Sequence, residues 1–180
     1  TSTLTHCRRS ISTPGTFLVS GWLPFSVSAQ TSYEHIIFYG QSLSVGHESN
    51  TVISTENVPG NYMFGKQVWM NFSNDNMLTI NPLLGTPFAC SPFVVCEAPV
   101  LGMVNHLQKK MNGVNFIASS TGSSGTSIEE LSKNSQVATF YNIYKETISI
   151  GKYFIRQKNS LHCPAIIYMQ GENNYTATGK

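Results

Sequence analysis

The stretch His35-Ile-Ile-Phe-Tyr39, which ends at Gly40, decides the fold of this chain. Ile, Phe and Tyr favour strands, and a short apolar run that ends at a glycine is typical of a parallel strand buried on both faces. Two later runs, Val114-Asn-Phe-Ile-Ala118 and Pro164-Ala-Ile-Ile-Tyr-Met169, have the same character. Pro is tolerated at the start of a strand. The sequence therefore predicts three core strands.

Two helical patterns separate these strands. Between residues 97 and 111, apolar side chains recur on one stripe, and Lys109 and Lys110 suit the C-terminal end of a helix dipole. A second apolar stripe runs from Gln136 to Lys158. Both segments are predicted to be helices that pack against a sheet.

A shorter helix is predicted after the second strand. Ser127 with Glu130, or Thr126 with Glu129, gives a capping-box signal there. Strands and helices alternate along the chain, and this order implies right-handed crossovers and a parallel sheet. We therefore expect a three-layer α/β/α fold of the flavodoxin-like kind, with helices on both faces of a parallel sheet.

The organised domain is predicted to span residues 35–180. Residues 1–34 are rich in Ser and Thr and interrupted by Pro and Gly, which favours a lead-in segment or a short hairpin. Part of this segment loosely resembles a secretory signal, but Gly21 and Pro24 argue against that interpretation. Residues 46–99 show no sustained period and are expected to form long loops and short pieces, and loops of this length are usually functional.

The composition is poor in charge and rich in neutral hydrogen-bonding groups. Charged residues make up 11% of the chain and the net charge is +2, whereas Ser, Thr and Asn account for 53 of the 180 residues. The two basic pairs, Arg8-Arg9 and Lys109-Lys110, are too few for a nucleic-acid-binding surface. Such a surface suits a secreted, cell-surface or virion-associated protein that meets carbohydrate.

The four cysteines form no C-x-x-C pair, and their spacing from the histidines does not match a zinc site. Cys90 and Cys96 could close a small loop in an oxidising compartment, and buried free thiols are the alternative. No apolar run reaches the roughly 18 residues that a membrane span needs.

Each predicted strand is followed by a polar motif. The first motif is Gly40-Gln-Ser-Leu43, the second runs from Gly122 to Glu129, and the third is Gln170-Gly-Glu-Asn-Asn174. Ligands of open α/β sheets bind at the carboxyl ends of the strands. The three motifs are therefore expected to meet at one edge of the sheet.

Together these motifs resemble those of SGNH (GDSL-like) hydrolases, especially the carbohydrate-esterase branch with acetylxylan esterases and sialate O-acetylesterases. The first motif matches that branch's G-Q-S-N/L block and the third matches Q-G-E-S/N-D/N. The segment Ser124-Gly-Thr-Ser-Ile-Glu129 resembles G-G-T-x-I-E, with Ser in place of the first Gly. The resemblance extends from about residue 34 to residue 174.

The resemblance implies a role for each matched residue. Ser42 would be the nucleophile, and its backbone N–H would be one donor of the oxyanion hole. Gly125 would give a second backbone N–H, and Gly122 is an alternative that the sequence leaves open. Asn173 would give its side-chain amide, with Gln170 as another polar contact. The resemblance implies neither a metal ion nor an organic cofactor.

The family's Ser/His/Asp triad also needs a D-x-x-H block near the C-terminus, and nothing in this sequence matches it. We therefore expect the domain to be incomplete at its C-terminus. Triad partners usually come from separate loops, so His47, close after Ser42, is not predicted to be the base. It is predicted, like His35, His106 and His162, to be a surface or hydrogen-bonded core histidine.

These features predict a serine esterase that removes O-acetyl groups from a carbohydrate through an acyl-enzyme on Ser42. A non-catalytic glycan-binding or structural module, such as part of a virion tail or adhesin, is the alternative. A lipase or thioesterase is a third, weaker interpretation, because no long acyl tunnel is evident.

An acetylated glycan is the expected partner, and further chain or a partner would cover an unpaired sheet edge. Aromatic side chains that could contact sugar, or pack in the core, are Tyr62, Phe64, Trp69 and Phe72.

Overall fold

A computed structural model describes residues 30–47, 49, 51–70, 79–84, 97–135, 139–157 and 159–171. Within these ranges the chain forms a five-stranded sheet in the order β3-β2-β4-β1-β5. The strands are β1 (Ser32–Gly40), β2 (Asn61–Phe64), β3 (Ile80–Pro82), β4 (Asn115–Ser120) and β5 (Ser160–Met169). The helices are α1 (Ser42–Val45), α2 (Pro99–Lys110), α3 (Ile128–Leu131) and α4 (Thr139–Arg156).

The predicted α/β fold is confirmed. Strand β1 pairs in parallel with β4 on one side and with β5 on the other, so the His35 run lies between the other two predicted strands. All three strands therefore end at the same edge of the sheet. Strand β2 continues the parallel arrangement beside β4.

Helices pack on both faces of this sheet. Neighbouring residues of β4 point to opposite layers, because successive side chains of a strand alternate between faces. Phe116 packs in a core cluster with Val104 of α2, whereas Ile117 packs in a second cluster with Phe154 of α4. The sheet therefore forms the middle of three layers.

The sheet is mostly parallel, and one edge strand outside the three predicted strands runs antiparallel. Strand β3 pairs antiparallel with β2, and both strands lie within residues 46–99, which were expected to form long loops and short pieces. The two strands span only four and three residues. So short a segment shows no period, and its strand conformation comes from pairing with neighbours that are distant in sequence.

Strand β5 begins at Ser160, four residues before the predicted start. Pro164 therefore lies inside the strand, where the register with β1 shifts between Glu34 and Ile36. Strand β5 forms an edge of the described sheet and pairs with β1 alone there, and edge strands and bulges are the places in a sheet where proline is tolerated. The edge position and the register shift both arise when β5 pairs with β1, so the sequence of β5 alone does not predict them.

The predicted helices, the cysteines and the membrane-span criterion can also be compared with the structure. Helices α2 and α4 lie inside their predicted segments, and Ser127 forms the capping box with Glu130. Cys90 and Cys96 lie outside the described residues, and Cys163 is an exposed free thiol. No helix in the described part of the chain is long and apolar enough to cross a bilayer.

Candidate active site

The first motif forms a tight turn between β1 and α1, directly after the central strand. Gly40 has a φ of +149°, and a Cβ at this position would collide with the carbonyl of Met169 on β5. Only glycine fits such a close backbone approach with positive φ. The Gln41 N–H then donates to the Met169 carbonyl at 3.0 Å. These contacts end β1 and tie the turn to the neighbouring strand.

Ser42 is the first residue of α1 and is 9% exposed. An N–H group at the first position of a helix has no acceptor within the helix. The Gln41 side-chain amide lies 3.5 Å from the Ser42 Oγ. Ser42 thus presents a hydroxyl beside a neutral amide donor, in a turn whose backbone is held in place. Gln41 lies in the first motif, but no pattern in the sequence predicts a role for it beside the serine.

The hydroxyl groups of two buried serines hydrogen-bond the backbone of this turn. Ser44 is fully buried, and its Oγ donates to the Gln41 carbonyl at 2.6 Å. The Ser120 Oγ, at the end of β4, donates to the Ser44 carbonyl at 2.9 Å. The first bond closes the turn around Ser42, and the second joins α1 to β4, the strand that leads into the second motif.

The second motif packs directly against the first. Gly122 is buried, and a Cβ on it would collide with the Ser44 Oγ and lie 2.6 Å from the Gly40 carbonyl oxygen. Thr121 donates its N–H to Phe38 at 2.8 Å, and Ser123 donates its N–H to Gly40 at 3.0 Å. The N–H of Gly122, which lies between them, has no acceptor among the described residues. Buried backbone N–H groups without a partner are rare, so this one is a candidate donor to a ligand.

Gly125 occupies a different environment in the same motif. It has a φ of +73°, is exposed, and has no heavy atom within 4 Å of a Cβ built on it. Water can reach its N–H. The structure therefore brings Gly122, and not Gly125, into contact with the Ser42 turn.

The described part of the third motif also contacts the second. The Gln170 Nε2 donates to the Thr126 carbonyl at 2.9 Å. Asn173, the other predicted oxyanion donor, and Glu172 lie outside the described residues. All three motifs thus meet at the carboxyl ends of β1, β4 and β5, where the topology alone predicts a ligand site.

Tyr39 links α3 to this edge of the sheet. Its phenolic O–H donates to the Leu131 carbonyl at 2.6 Å. Burial, together with the neighbouring tyrosines Tyr168, Tyr141 and Tyr144, raises the pKa of Tyr39 to about 12. The phenol therefore remains protonated, and remains a donor, across the neutral pH range.

No histidine side chain of the described residues hydrogen-bonds the Ser42 Oγ. His35 is 1% exposed and hydrogen-bonds the Ser119 Oγ at 2.6 Å, and burial lowers its pKa to about 3. His162 contacts Glu34 at 3.3 Å on the surface, and His106 is exposed on α2. The described chain thus holds the serine and a candidate oxyanion donor without a base in contact with Ser42.

His47 lies next to α1 but makes a backbone contact only. Its N–H donates to the Ser42 carbonyl at 3.0 Å. The His47 Nδ1 is buried, and no hydrogen-bond partner for it exists among the described residues. The contact with Ser42 therefore fixes the end of the helical turn and does not orient the imidazole toward the hydroxyl.

The aromatic residues proposed for sugar contact have different environments. Phe64 is 1% exposed and packs with Phe154 of α4, so of its two alternatives the structure shows core packing. Tyr62 packs edge-on against Tyr33, and Phe72 lies outside the described residues. Trp69 alone among the described three contacts a motif residue, through a hydrogen bond from its indole N–H to the Gly122 carbonyl at 2.9 Å.

Seven described side chains where the three motifs meet are uncharged, namely Gln41, Ser42, Ser44, Thr121, Ser123, Thr126 and Gln170, whereas Glu129 at the end of the second motif is a carboxylate. The nearby Glu130 carboxylate accepts the Ser127 N–H at 2.7 Å in the capping box. In the described ranges no group of three or more His, Cys, Asp or Glu side chains could hold a metal ion. The site therefore offers hydroxyl, amide and backbone N–H groups for chemistry.

Comparison with known proteins finds solved structures with a similar fold. No protein-family model matches the chain, and no curated protein matches its sequence. A protein from Arabidopsis thaliana, with an X-ray structure at 1.6 Å resolution, superposes with a TM-score of 0.52 and 12% sequence identity. The likeness shows the fold alone. It covers 78% of this chain and 58% of the Arabidopsis chain, so this chain spans less than two thirds of that protein's length.

Proposed function

We propose that this protein is a serine esterase of the SGNH type that removes O-acetyl groups from a carbohydrate. The observation that carries the proposal is the contact between the first two motifs. Gly122 packs against the Ser42 turn, and its buried N–H has no acceptor among the described residues. A nucleophile beside an unused, preorganised backbone donor is the arrangement that acyl transfer requires.

The chemistry follows from these groups. The Ser42 Oγ attacks the acetyl carbonyl, and the developing oxyanion accepts hydrogen bonds from the N–H groups of Ser42 and Gly122. The sugar oxygen leaves with a proton, and an acetyl-serine remains. Water then attacks the acetyl-serine and releases acetate. We assign the second backbone donor to Gly122 because Gly125 lies in the exposed part of its turn. Asn173, in the third motif, is proposed as the third donor.

The general base is the part of the triad that the described residues do not supply. In SGNH hydrolases it belongs to the D-x-x-H block, which this sequence lacks. Without the base, a serine hydrolase keeps only the contribution of the oxyanion hole and of binding, roughly 10³–10⁴-fold over water. We therefore expect slow turnover by this chain, with acylation of Ser42 as the step to measure.

The proposed substrate is a neutral ester on a polar molecule. The described side chains in the Ser42 turn carry no charge, which suits an acetyl group better than a carboxylate or phosphate. The abundance of Ser, Thr and Asn supports a protein that works among carbohydrates, on a virion, at a cell surface or in secretions. An acetylated glycan is accordingly the partner that we propose.

Hydrolysis of p-nitrophenyl acetate and release of acetate from acetylated xylan and acetylated sialic acid test this proposal. The chain, its Ser42→Ala variant and a Ser149→Ala control, which changes an exposed serine of α4, are compared. We expect the activity to disappear in Ser42→Ala and to persist in the control. Equal rates in all three proteins would refute the esterase proposal.

A non-catalytic glycan-binding module is the second candidate function. The absence of a histidine side chain in contact with Ser42 within the described ranges favours it. A binding module would retain acetylated glycans in calorimetry without releasing acetate, and Ser42→Ala would bind them as well as the unchanged chain. Loss of acetate release on mutation of Ser42 would instead exclude this candidate.

A further inference from the structure

Trp69 lies outside all three motifs, yet it contacts the second. Its backbone forms a parallel bridge with Ser120, the last residue of β4. The neighbouring residues strengthen this bridge, because Ser120 donates to Val68 at 2.9 Å and Met70 donates to Ser120 at 2.8 Å. The Trp69 backbone is thus fixed beside the strand that leads into the second motif. Its half-buried indole reaches two residues further and donates its N–H to the Gly122 carbonyl at 2.9 Å.

With this hydrogen bond, both polar groups of the peptide unit between Gly122 and Ser123 have a partner. The peptide between Gly122 and Ser123 has its carbonyl held by Trp69 and its N–H held by the Gly40 carbonyl at 3.0 Å. On the other side of Gly122, the Thr121 N–H is held by Phe38. Glycine has wide conformational freedom, so the direction of the Gly122 N–H depends on restraints at both of its sides.

We infer that Trp69 is a positioning residue for the oxyanion hole: its indole N–H holds the Gly122 carbonyl so that the Gly122 N–H stays directed at the reacting carbonyl. This inference rests on the proposed function. Trp69 is 53 positions from Gly122 in sequence. Its side chain would affect catalysis through Gly122, without touching the substrate. The free Gly122 N–H is the group through which Trp69 acts.

The matched substitutions separate the hydrogen bond from the packing of the ring. Trp69→Phe keeps an aromatic ring and removes the donor. Benzothienylalanine at position 69 keeps the shape of the indole and replaces its N–H by sulfur. Gln67→Ala is the control, because the Gln67 Nε2 donates to the Trp69 backbone carbonyl at 3.1 Å and does not involve the indole.

The experiment measures kcat and KM for p-nitrophenyl acetate, the rate of Ser42 labelling by a fluorophosphonate, and the melting temperature of each variant. Removing a whole oxyanion donor costs about 10²–10³-fold in kcat. A donor that is present but misdirected costs less, so we expect both donor-free variants to lose about 10–100-fold in kcat and in labelling rate. KM should change by less than about threefold, because the oxyanion forms only after substrate binds. Gln67→Ala should match the unchanged chain.

The outcomes distinguish this inference from the function on which it rests. Ser42-dependent activity with an unchanged kcat in the benzothienylalanine variant would overturn the role of Trp69 and leave the esterase proposal standing. A rise in KM with constant kcat would also overturn it, since that result indicates a substrate contact. If the unchanged chain shows no Ser42-dependent activity or labelling, the esterase proposal fails and the role of Trp69 fails with it. If Trp69→Phe has a lower melting temperature than the unchanged chain, the kcat of the benzothienylalanine variant is the test of the role of Trp69.

Discussion

Replacing the buried His35 should remove a large part of the acid sensitivity of this protein. His35 is 1% exposed, lies edge-on against Phe64 and hydrogen-bonds the Ser119 Oγ at 2.6 Å. Burial lowers its pKa from 6.5 to about 3, because a charged imidazole cannot be solvated in this core. The folded protein therefore keeps His35 neutral where an unfolded chain protonates it.

The sign and size of the effect follow from that difference. The folded pKa is depressed, so the stabilisation is fully present above pH 6.5 and is lost as the pH falls toward 3. At about 1.4 kcal/mol per pKa unit, the full loss is about 5 kcal/mol, and about 3 kcal/mol is already lost near pH 4.5. Many domains have a total stability of only about 5–15 kcal/mol, so this one histidine has a large effect.

Urea denaturation, followed by circular dichroism between about pH 7.5 and 4.5, measures the effect. His35→Gln keeps a polar side chain without a titrating group, and its unfolding free energy should fall less steeply with acid than that of the unchanged chain. His162→Gln, which changes an exposed histidine, is the control and should keep the original slope. Parallel curves for His35→Gln and the unchanged chain would refute the reasoning. If His35→Gln does not fold, an NMR titration should find the His35 ring neutral at pH 4.5, and a midpoint near 6.5 would contradict it.

Three further substitutions test other parts of the structure. Gly122→Ala should abolish Ser42 labelling by a fluorophosphonate, because the added Cβ collides with the Ser44 Oγ and crowds the Gly40 carbonyl; labelling at the original rate would contradict this packing. Gly102→Ala, on α2 with nothing within 4 Å of its Cβ, should instead raise the unfolding free energy by about 0.5–1 kcal/mol in urea, and a decrease would be inconsistent with an open helical site. Glu97→Gln should speed amide exchange at Ile53 and Ser54, whose N–H groups donate to its carboxylate at 2.6 and 2.9 Å, and cost about 1–2 kcal/mol; unchanged exchange would show that this carboxylate does not hold the loop.

The elements that could be predicted from the sequence are those with a local signal. Strands β1, β4 and β5 contain apolar runs, and the motif that follows β1 carries Gly40 and Ser42 in a recognisable pattern. Parallel pairing then places the motifs at one edge of the sheet, whatever the details of the loops. The α/β fold and the location of the candidate site depend on no more than this.

The remaining features arise from contacts between residues that are distant in sequence. Strand β2 exists because residues 61–63 pair with β4, and its four residues carry no period of their own. The difference between Gly122 and Gly125 is one of packing, since both follow β4 in a Ser- and Gly-rich turn. The Trp69 hydrogen bond joins two segments 53 residues apart. No local pattern encodes these contacts, so they become visible only in three dimensions.

The most direct test of the central proposal is to trap the acyl-enzyme. The chain is mixed with p-nitrophenyl acetate, quenched in acid after short times, digested and analysed by mass spectrometry, with Ser42→Ala as the control. Since no described histidine side chain hydrogen-bonds the Ser42 Oγ to speed deacylation, the acetyl group should accumulate. We predict the mass of one added acetyl group on the peptide that contains Ser42, and its absence in Ser42→Ala. Acetylation confined to lysines, at equal levels in both proteins, would contradict the assignment of Ser42 as the nucleophile.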